Sequence, residues 1–120
     1  MSGLRFVVQE HRTEPLHWDL MLEKDGVLKT WSLAAEPPAA GPFRIAALQH
    51  FDHRLHYLTF EGEISGGRGT VRIVERGTYE AEWGDRRVAL TLHGERLEGP
   101  FLLEFLKEAK RPEWVFRTFP

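Results

Sequence analysis

The dipeptide Asp25-Gly26 restricts the fold more than any other feature of the chain. It stands between two segments of similar length, His17–Glu23 and Val27–Leu33. Asp-Gly readily adopts the backbone of a two-residue hairpin turn, so the two segments are expected to run antiparallel. His17-Trp18-Asp19-Leu20-Met21-Leu22-Glu23 alternates polar with apolar residues, apart from Met21, as a half-buried strand does. Successive strand side chains point to opposite faces. His17 and Asp19 therefore share one face, about 7 Å apart along the strand, while Trp18, Leu20 and Leu22 take the other.

The remaining chain continues the pattern. Strands are expected over Leu4–Gln9, Phe43–Gln49, Val71–Glu75, Thr78–Trp83, Arg87–His93, Leu97–Leu106 and Glu113–Phe119. Gly77, Gly84-Asp85 and Gly94 mark turns between them, and the Pro- and Ala-rich run from Ala34 to Pro42 is a loop. His50 to Tyr57 reads as a polar, histidine-rich turn leading into Leu58-Thr59-Phe60, and only Phe101–Lys110 admits a helical alternative. Many short strands with glycine turns predict an all-β fold, a compact antiparallel β-barrel of about eight or more strands. Closure would remove free edges and let inward side chains wall a pocket. With 120 residues, residues 1–120 are expected to form one domain, and a 42% hydrophobic fraction that includes four Trp is enough for its core.

Composition excludes several chemistries. There is no cysteine, which removes disulfides, thiolate ligands and a Cys nucleophile, and which suits a cytoplasmic location. No apolar run reaches the ~20 residues of a membrane span, and Met1-Ser2-Gly3-Leu4-Arg5 does not read as a signal peptide. A net charge of -2 argues against coating duplex DNA by charge, but not against gripping a strand end through a few phosphates.

His11, His17 and Asp19 fall within nine positions. His11 is expected in a short loop before Pro15, able to fold back toward the pair. Two imidazoles and a carboxylate form a three-ligand set that leaves coordination positions for water and substrate. The competing reading is a hydrogen-bonded His-x-Asp pair with no ion. His50, His53 and His56 recur every three residues and form a weaker alternative cluster. The run Ser65-Gly66-Gly67-Arg68-Gly69 has glycines around an arginine, but no helix follows as a phosphate loop requires, so it reads as a turn.

Taken together, Gln9-x-His11, Leu16-His17-x-Asp19, Leu22-Glu23-x-Asp25-Gly26-Val27-Leu28-Lys29-x-Trp31, Asp52-His53-x-Leu55-x-Tyr57, Phe60-Glu61-Gly62-x-Ile64 and Arg76-Gly77-x-Tyr79 resemble the 3′-phosphoesterase domain of bacterial DNA ligase D. The resemblance implies a β-barrel with a manganese-dependent activity that heals 3′ ends of DNA or RNA. Such an enzyme removes a 3′-terminal ribonucleoside and clears a 3′-phosphate. It places the metal ligands on His11, His17 and Asp19, the catalytic pair on His53 and Tyr57, and a basic phosphate contact on Arg44. It also makes a DNA ligase or a Ku-type end-binding protein reasonable partners, with no membrane involved.

Two positions depart from that pattern. Met21 stands where the family has an arginine that clamps phosphate, and a family lysine falls near Ala35. Arg54, Arg12 or Arg68 would have to supply the missing cation, with Arg54 taken as substrate-binding beside Arg44. Otherwise the chain is a weakened module that still holds metal and strand ends. A third reading, an iron-dependent oxygenase built on His17-x-Asp19, would need a distant third ligand and a longer chain.

Overall fold

The computed structural model describes residues 3–120; Met1 and Ser2, which open the leader reading, lie outside the described residues. The strands are β1 Arg5–Arg12, β2 His17–Lys24, β3 Val27–Leu33, β4 Arg44–Gln49, β5 Gly62–Glu63, β6 Thr70–Trp83, β7 Arg87–Gly94, β8 Glu98–Lys107 and β9 Glu113–Thr118. A single 3-10 turn, Leu55–Leu58, is the one helical element among the described residues. Phe101–Lys110, where a helix was the alternative, is strand as far as Lys107. Among the described residues no helix is long and apolar enough to cross a membrane.

The sheet runs β1-β2-β3-β4-β9-β8-β7-β6 and closes by pairing β6 with β1, every pairing antiparallel. The result is an eight-stranded antiparallel barrel, with β5 as a short appendage on the start of β6. The hairpin turn stands at Asp25-Gly26, both residues at positive φ (53° and 81°), which a two-residue loop of this kind requires.

One expected break is absent. Val71–Glu75 and Thr78–Trp83 belong to one strand of 14 residues, β6, with no turn at Gly77. The first part of β6 pairs with β1 and the last with β7, and Gly77 stands opposite both Phe6 and Gly94. A Cβ at Gly77 would lie 2.1 Å from the His93 carbonyl oxygen, so the glycine serves a close backbone approach.

The barrel interior is solid. Phe6, Val8, Leu20, Leu22, Trp31 and Phe116 are among the side chains that fill it, and Trp114 joins them. Trp18 and Trp83 pack against this cluster from partly buried positions. Burying such a side chain is worth about 1.5–3 kcal/mol, so nothing favours leaving the centre open. The expected pocket walled by inward side chains therefore does not form inside the barrel. A second, smaller cluster lies on the outer face: Val7, Met21, Leu28 and Leu58, with Tyr57 and Ile73 against them. Leu58 and Tyr57 come from the 50–69 segment, which crosses the outside of β1, β2 and β3 as a strap.

Candidate metal centre and active-site cavity

Antiparallel register sets the outer face residue by residue. His11 pairs with His17, Gln9 with Asp19, and Val7 with Met21 across β1 and β2. Asp19 pairs with Ser32, and Met21 with Thr30, across β2 and β3. Directly opposed residues point to the same side of a sheet. His11, His17, Asp19 and Ser32 thus share one outward patch. His11 belongs to β1 itself, not to the loop expected for it, because it pairs with His17 of β2 on one side and Val71 of β6 on the other.

The ring nitrogens are oriented by the backbone. His11 Nε2 donates to the Arg68 carbonyl at 2.7 Å, and His17 Nδ1 donates to the Pro15 carbonyl at 3.0 Å. A carbonyl can only accept, so those nitrogens carry hydrogens. In the neutral rings the other nitrogens carry lone pairs, and these face each other: His11 Nδ1 lies 3.1 Å from His17 Nε2. Asp19 completes the group, with Oδ2 3.5 Å from His11 Nδ1 and Oδ1 3.3 Å from His17 Nε2. Electron-rich atoms converging in this way demand a positive charge between them, either a proton or a metal ion. The three residues form the one group of three metal-ligating side chains within reach of a common ion among the described residues.

The titration behaviour follows. Hydrogen bonding to Asp19 raises the pKa of His11 and of His17; burial opposes the shift, and the Arg68 and Pro15 carbonyls add to it. Burial pushes the Asp19 carboxyl up, but the bonds from His11 and His17 more than reverse that, leaving it well below the usual carboxylate range. Asp19 is also held from behind: Ser32 Oγ donates to its Oδ1 at 3.0 Å, and Arg111 Nη2 donates to Ser32 Oγ at 3.0 Å.

Above this patch lies a cavity of about 430 Å³, the size of a small-ligand site. His53, Arg54, Tyr57 and Arg68 line it together with the His-His-Asp group, and Met21 contributes to the apolar lining. Besides the β5–β6 pairing, the bond from the Ile73 N–H to the Glu61 carboxylate and that from the His50 N–H to the Thr30 carbonyl, several contacts fasten the strap over the patch. Gln9, itself buried, donates through Nε2 to the Tyr57 carbonyl (2.7 Å) and to the Phe60 carbonyl (3.0 Å). His53 and Leu28 exchange backbone hydrogen bonds of 2.8 Å, and Lys29 Nζ reaches Asp52 Oδ2 at 2.9 Å. His53 is further fixed by its Nδ1, 3.0 Å from the Phe51 carbonyl, which turns Nε2 away from that bond.

Of the residues expected at the site, His11, His17, Asp19, His53, Arg54 and Tyr57 come together. Arg44 does not. It begins β4 at the end opposite to Gln49, paired with Arg117 on β9 and within the field of Glu104, outside the cavity. Arg12 is also outside, with its Nε 3.2 Å from Glu10 Oε1. Arg68 folds onto its own turn, Nε 2.8 Å from the Ser65 carbonyl. That glycine-rich turn cradles nothing of its own. Gly69, at φ +88°, sits against the Arg12 backbone and lets the Arg68 carbonyl meet His11. His50 approaches His53, ring centroids 5.4 Å apart, and its pKa is lowered by burial and by Arg111. His56 turns instead toward Tyr57 and Phe60, so the three-residue histidine repeat builds no second group.

The sequence reading missed Ser32, Gln9 and Arg111. Ser32 had a signal: counting back from the Asp25-Gly26 turn places it opposite Asp19. Arg111 had none, since only the long-range pairing of β9 with β4 brings the β8–β9 connection to β3.

Residues 9–104 match the DNA Ligase D 3′-phosphoesterase domain family. The chain is 38% identical over 110 residues to the multifunctional non-homologous end joining protein LigD of Mycobacterium bovis, a match that covers 85% of this chain and 14% of that protein. It is 33% identical over 114 residues to the LigD of Mycolicibacterium smegmatis, covering 82% of this chain and 15% of that protein. For the LigD of Pseudomonas aeruginosa the figures are 33% over 121 residues, 92% and 14%. The chain thus corresponds to about one seventh of the length of these relatives. By the extent of the match, it belongs to the DNA ligase D 3′-phosphoesterase domain family.

Proposed function

We propose that this chain is a divalent-cation-dependent phosphoesterase that heals 3′ ends of DNA or RNA strands during end-joining repair, with manganese as its ion. The observation that carries the reading is the convergence of His11 Nδ1, His17 Nε2 and the Asp19 carboxylate beneath a cavity that His53 and Tyr57 also line. This donor set of two imidazoles and one carboxylate suits Mn²⁺, which accepts oxygen and imidazole together and leaves positions for water and phosphate oxygens. When bound, such an ion supplies a more acidic water and neutralises charge developing on phosphorus.

The protein's own groups have separable tasks. His11 and His17 are held in their ligating tautomers by the Arg68 and Pro15 carbonyls, so no ring must turn on binding. Ser32 orients the Asp19 carboxylate. His53, anchored through Nδ1, offers Nε2 to a phosphate oxygen or passes a proton to the leaving oxygen. Tyr57 presents its hydroxyl from the strap to position an oxygen. Arg54 supplies positive charge for the substrate phosphate from the cavity wall.

The test is direct. Metal-stripped protein is given a primer-template ending in a 3′-phosphate, and a second ending in one ribonucleotide, with and without Mn²⁺. Release of inorganic phosphate and of the terminal nucleoside only with the ion supports the reading. Neither product with Mn²⁺, Co²⁺ or Zn²⁺ refutes it. One observation favours a second reading, a module that binds metal and strand ends but turns over weakly. Met21 lies buried beside Asp19's face, packed on Val7, Leu28 and Leu58, and carries no charge for a phosphate. A gain in phosphate release with Met21→Arg supports that reading. By kinship with multifunctional end-joining proteins, the activity is expected to work beside a ligase or a Ku-type end binder.

A further inference from the structure

Beside the metal cavity lies a second, more open hollow of about 490 Å³, bounded by Gln49, Lys110, Arg111 and Pro112. His50 and Phe51 line both spaces and form the sill between them. Phe51 is 71% exposed. One face of its ring lies parallel to His53 (centroids 4.9 Å apart, planes 6° apart). The Arg111 guanidinium spends one N–H on Ser32 and has no carboxylate in ion-pair range among the described residues; Lys110 likewise has none there. Two adjacent cations without an ion-pair partner thus border the same hollow as an exposed aromatic ring, directly beside the metal cavity.

We propose that this hollow is a subsite for the nucleotide preceding the reacting 3′ terminus. Arg111 and Lys110 hold the phosphodiester linking it to the terminal nucleotide, and Phe51 stacks on a base. The chemistry matches single-stranded nucleic acid: cations track the backbone, and an aromatic face accepts any base without reading its edge. A nucleoside bearing only a 3′-phosphate fills the metal cavity and leaves the hollow empty. The inference rests on the phosphoesterase reading for its direction along the strand.

The experiment compares two substrates, a nucleoside 3′-phosphate and a trinucleotide with a 3′-phosphate, both with Mn²⁺. The unaltered protein is expected to favour the trinucleotide in kcat/KM. Phe51→Ala should lose about tenfold of that preference. Arg111→Ala should lose a similar amount, with the slope of log affinity against log salt shallower by about 0.7, as for one phosphate contact on a single strand. General damage to the fold lowers both substrates together and leaves the ratio intact. A ratio unchanged in both variants overturns the subsite while leaving the phosphoesterase reading standing. If the protein turns over neither of these short substrates, the primer-template assay alone judges the phosphoesterase reading, and binding of a fluorescent 3′-phosphorylated trinucleotide decides the subsite: equal affinity and equal salt slope in all three proteins overturn it.

Discussion

Gln9→Ala separates the metal patch from the strap that covers it. Both hydrogens of the Gln9 amide are committed, one to the Tyr57 carbonyl at 2.7 Å and one to the Phe60 carbonyl at 3.0 Å. Leaving a buried acceptor without a donor costs about 1–3 kcal/mol, so the pair sets an upper range of about 2–6 kcal/mol. The barrel beneath is closed and does not depend on the strap. The loss should therefore appear as local opening, not as unfolding of the whole, with the strap's carbonyls finding water once lifted. Amide exchange at His53 and Leu28, whose backbones bond each other, is expected to rise at least about 30-fold, the equivalent of about 2 kcal/mol. Turnover should fall in parallel, because His53 and Tyr57 ride on the strap. Mn²⁺ affinity measured by calorimetry should stay within about threefold, because the ligands stand on β1 and β2, and the Arg68 carbonyl that bonds His11 is separated from the Gln9 clamp by β5, which pairs with β6. Unchanged exchange together with retained turnover would refute the clamp. So would a metal affinity that collapses along with activity, since strap and patch would then be one unit.

Other perturbations probe the remaining links. Ser32→Ala removes the hydroxyl behind Asp19 Oδ1 and is expected to weaken Mn²⁺ binding about 10–100-fold in a calorimetric titration, with little change in melting temperature. The two histidine pKa values are raised in the metal-free fold, so their contribution to stability is full below the unfolded value of about 6.5 and is lost as pH rises through the folded values. Metal binding needs both rings unprotonated, so the gap between melting temperatures with Mn²⁺ and with chelator should widen from pH 6 to 8.5; a constant gap would contradict the ligand assignment. Gly77→Ala drives a methyl into the His93 carbonyl and is expected to cost several kcal/mol in a denaturant titration, where a residue in a free turn would cost little.

Much of this was legible because the relevant information is local. Alternation over His17–Glu23, closed by Asp25-Gly26, specifies a hairpin, and a hairpin's register follows from its turn. That register alone sets Ser32 opposite Asp19. What could not be read is non-local. Gly77 looks like a turn in one dimension, because the same residue marks a turn and a crossing of two strands. Arg44, expected by likeness, lands at the far end of β4, whereas Arg111 reaches the site because β9, last in the chain, pairs with β4 beside β3. The expected inward pocket failed on volume: side chains large enough to make a stable core of an eight-stranded barrel fill it.

A filled barrel forces the chemistry onto its outer surface, and this has consequences for precision. On that surface, neighbouring strands bring His11, His17, Asp19 and Ser32 into one patch at spacings set by backbone pairing, as rigid as the sheet itself. A sheet face is open to water and cannot by itself shelter a phosphate or bring a proton donor to the opposite side. In the proposed function the strap would supply both, and it is held by hydrogen bonds, the short β5–β6 pairing and a small apolar cluster, not by the main core. Metal affinity should therefore follow the strands and the Arg68 carbonyl behind His11, and turnover the part of the strap that carries His53 and Tyr57. A set of variants along the strap that shifted metal affinity and turnover by equal factors would show that this division does not exist.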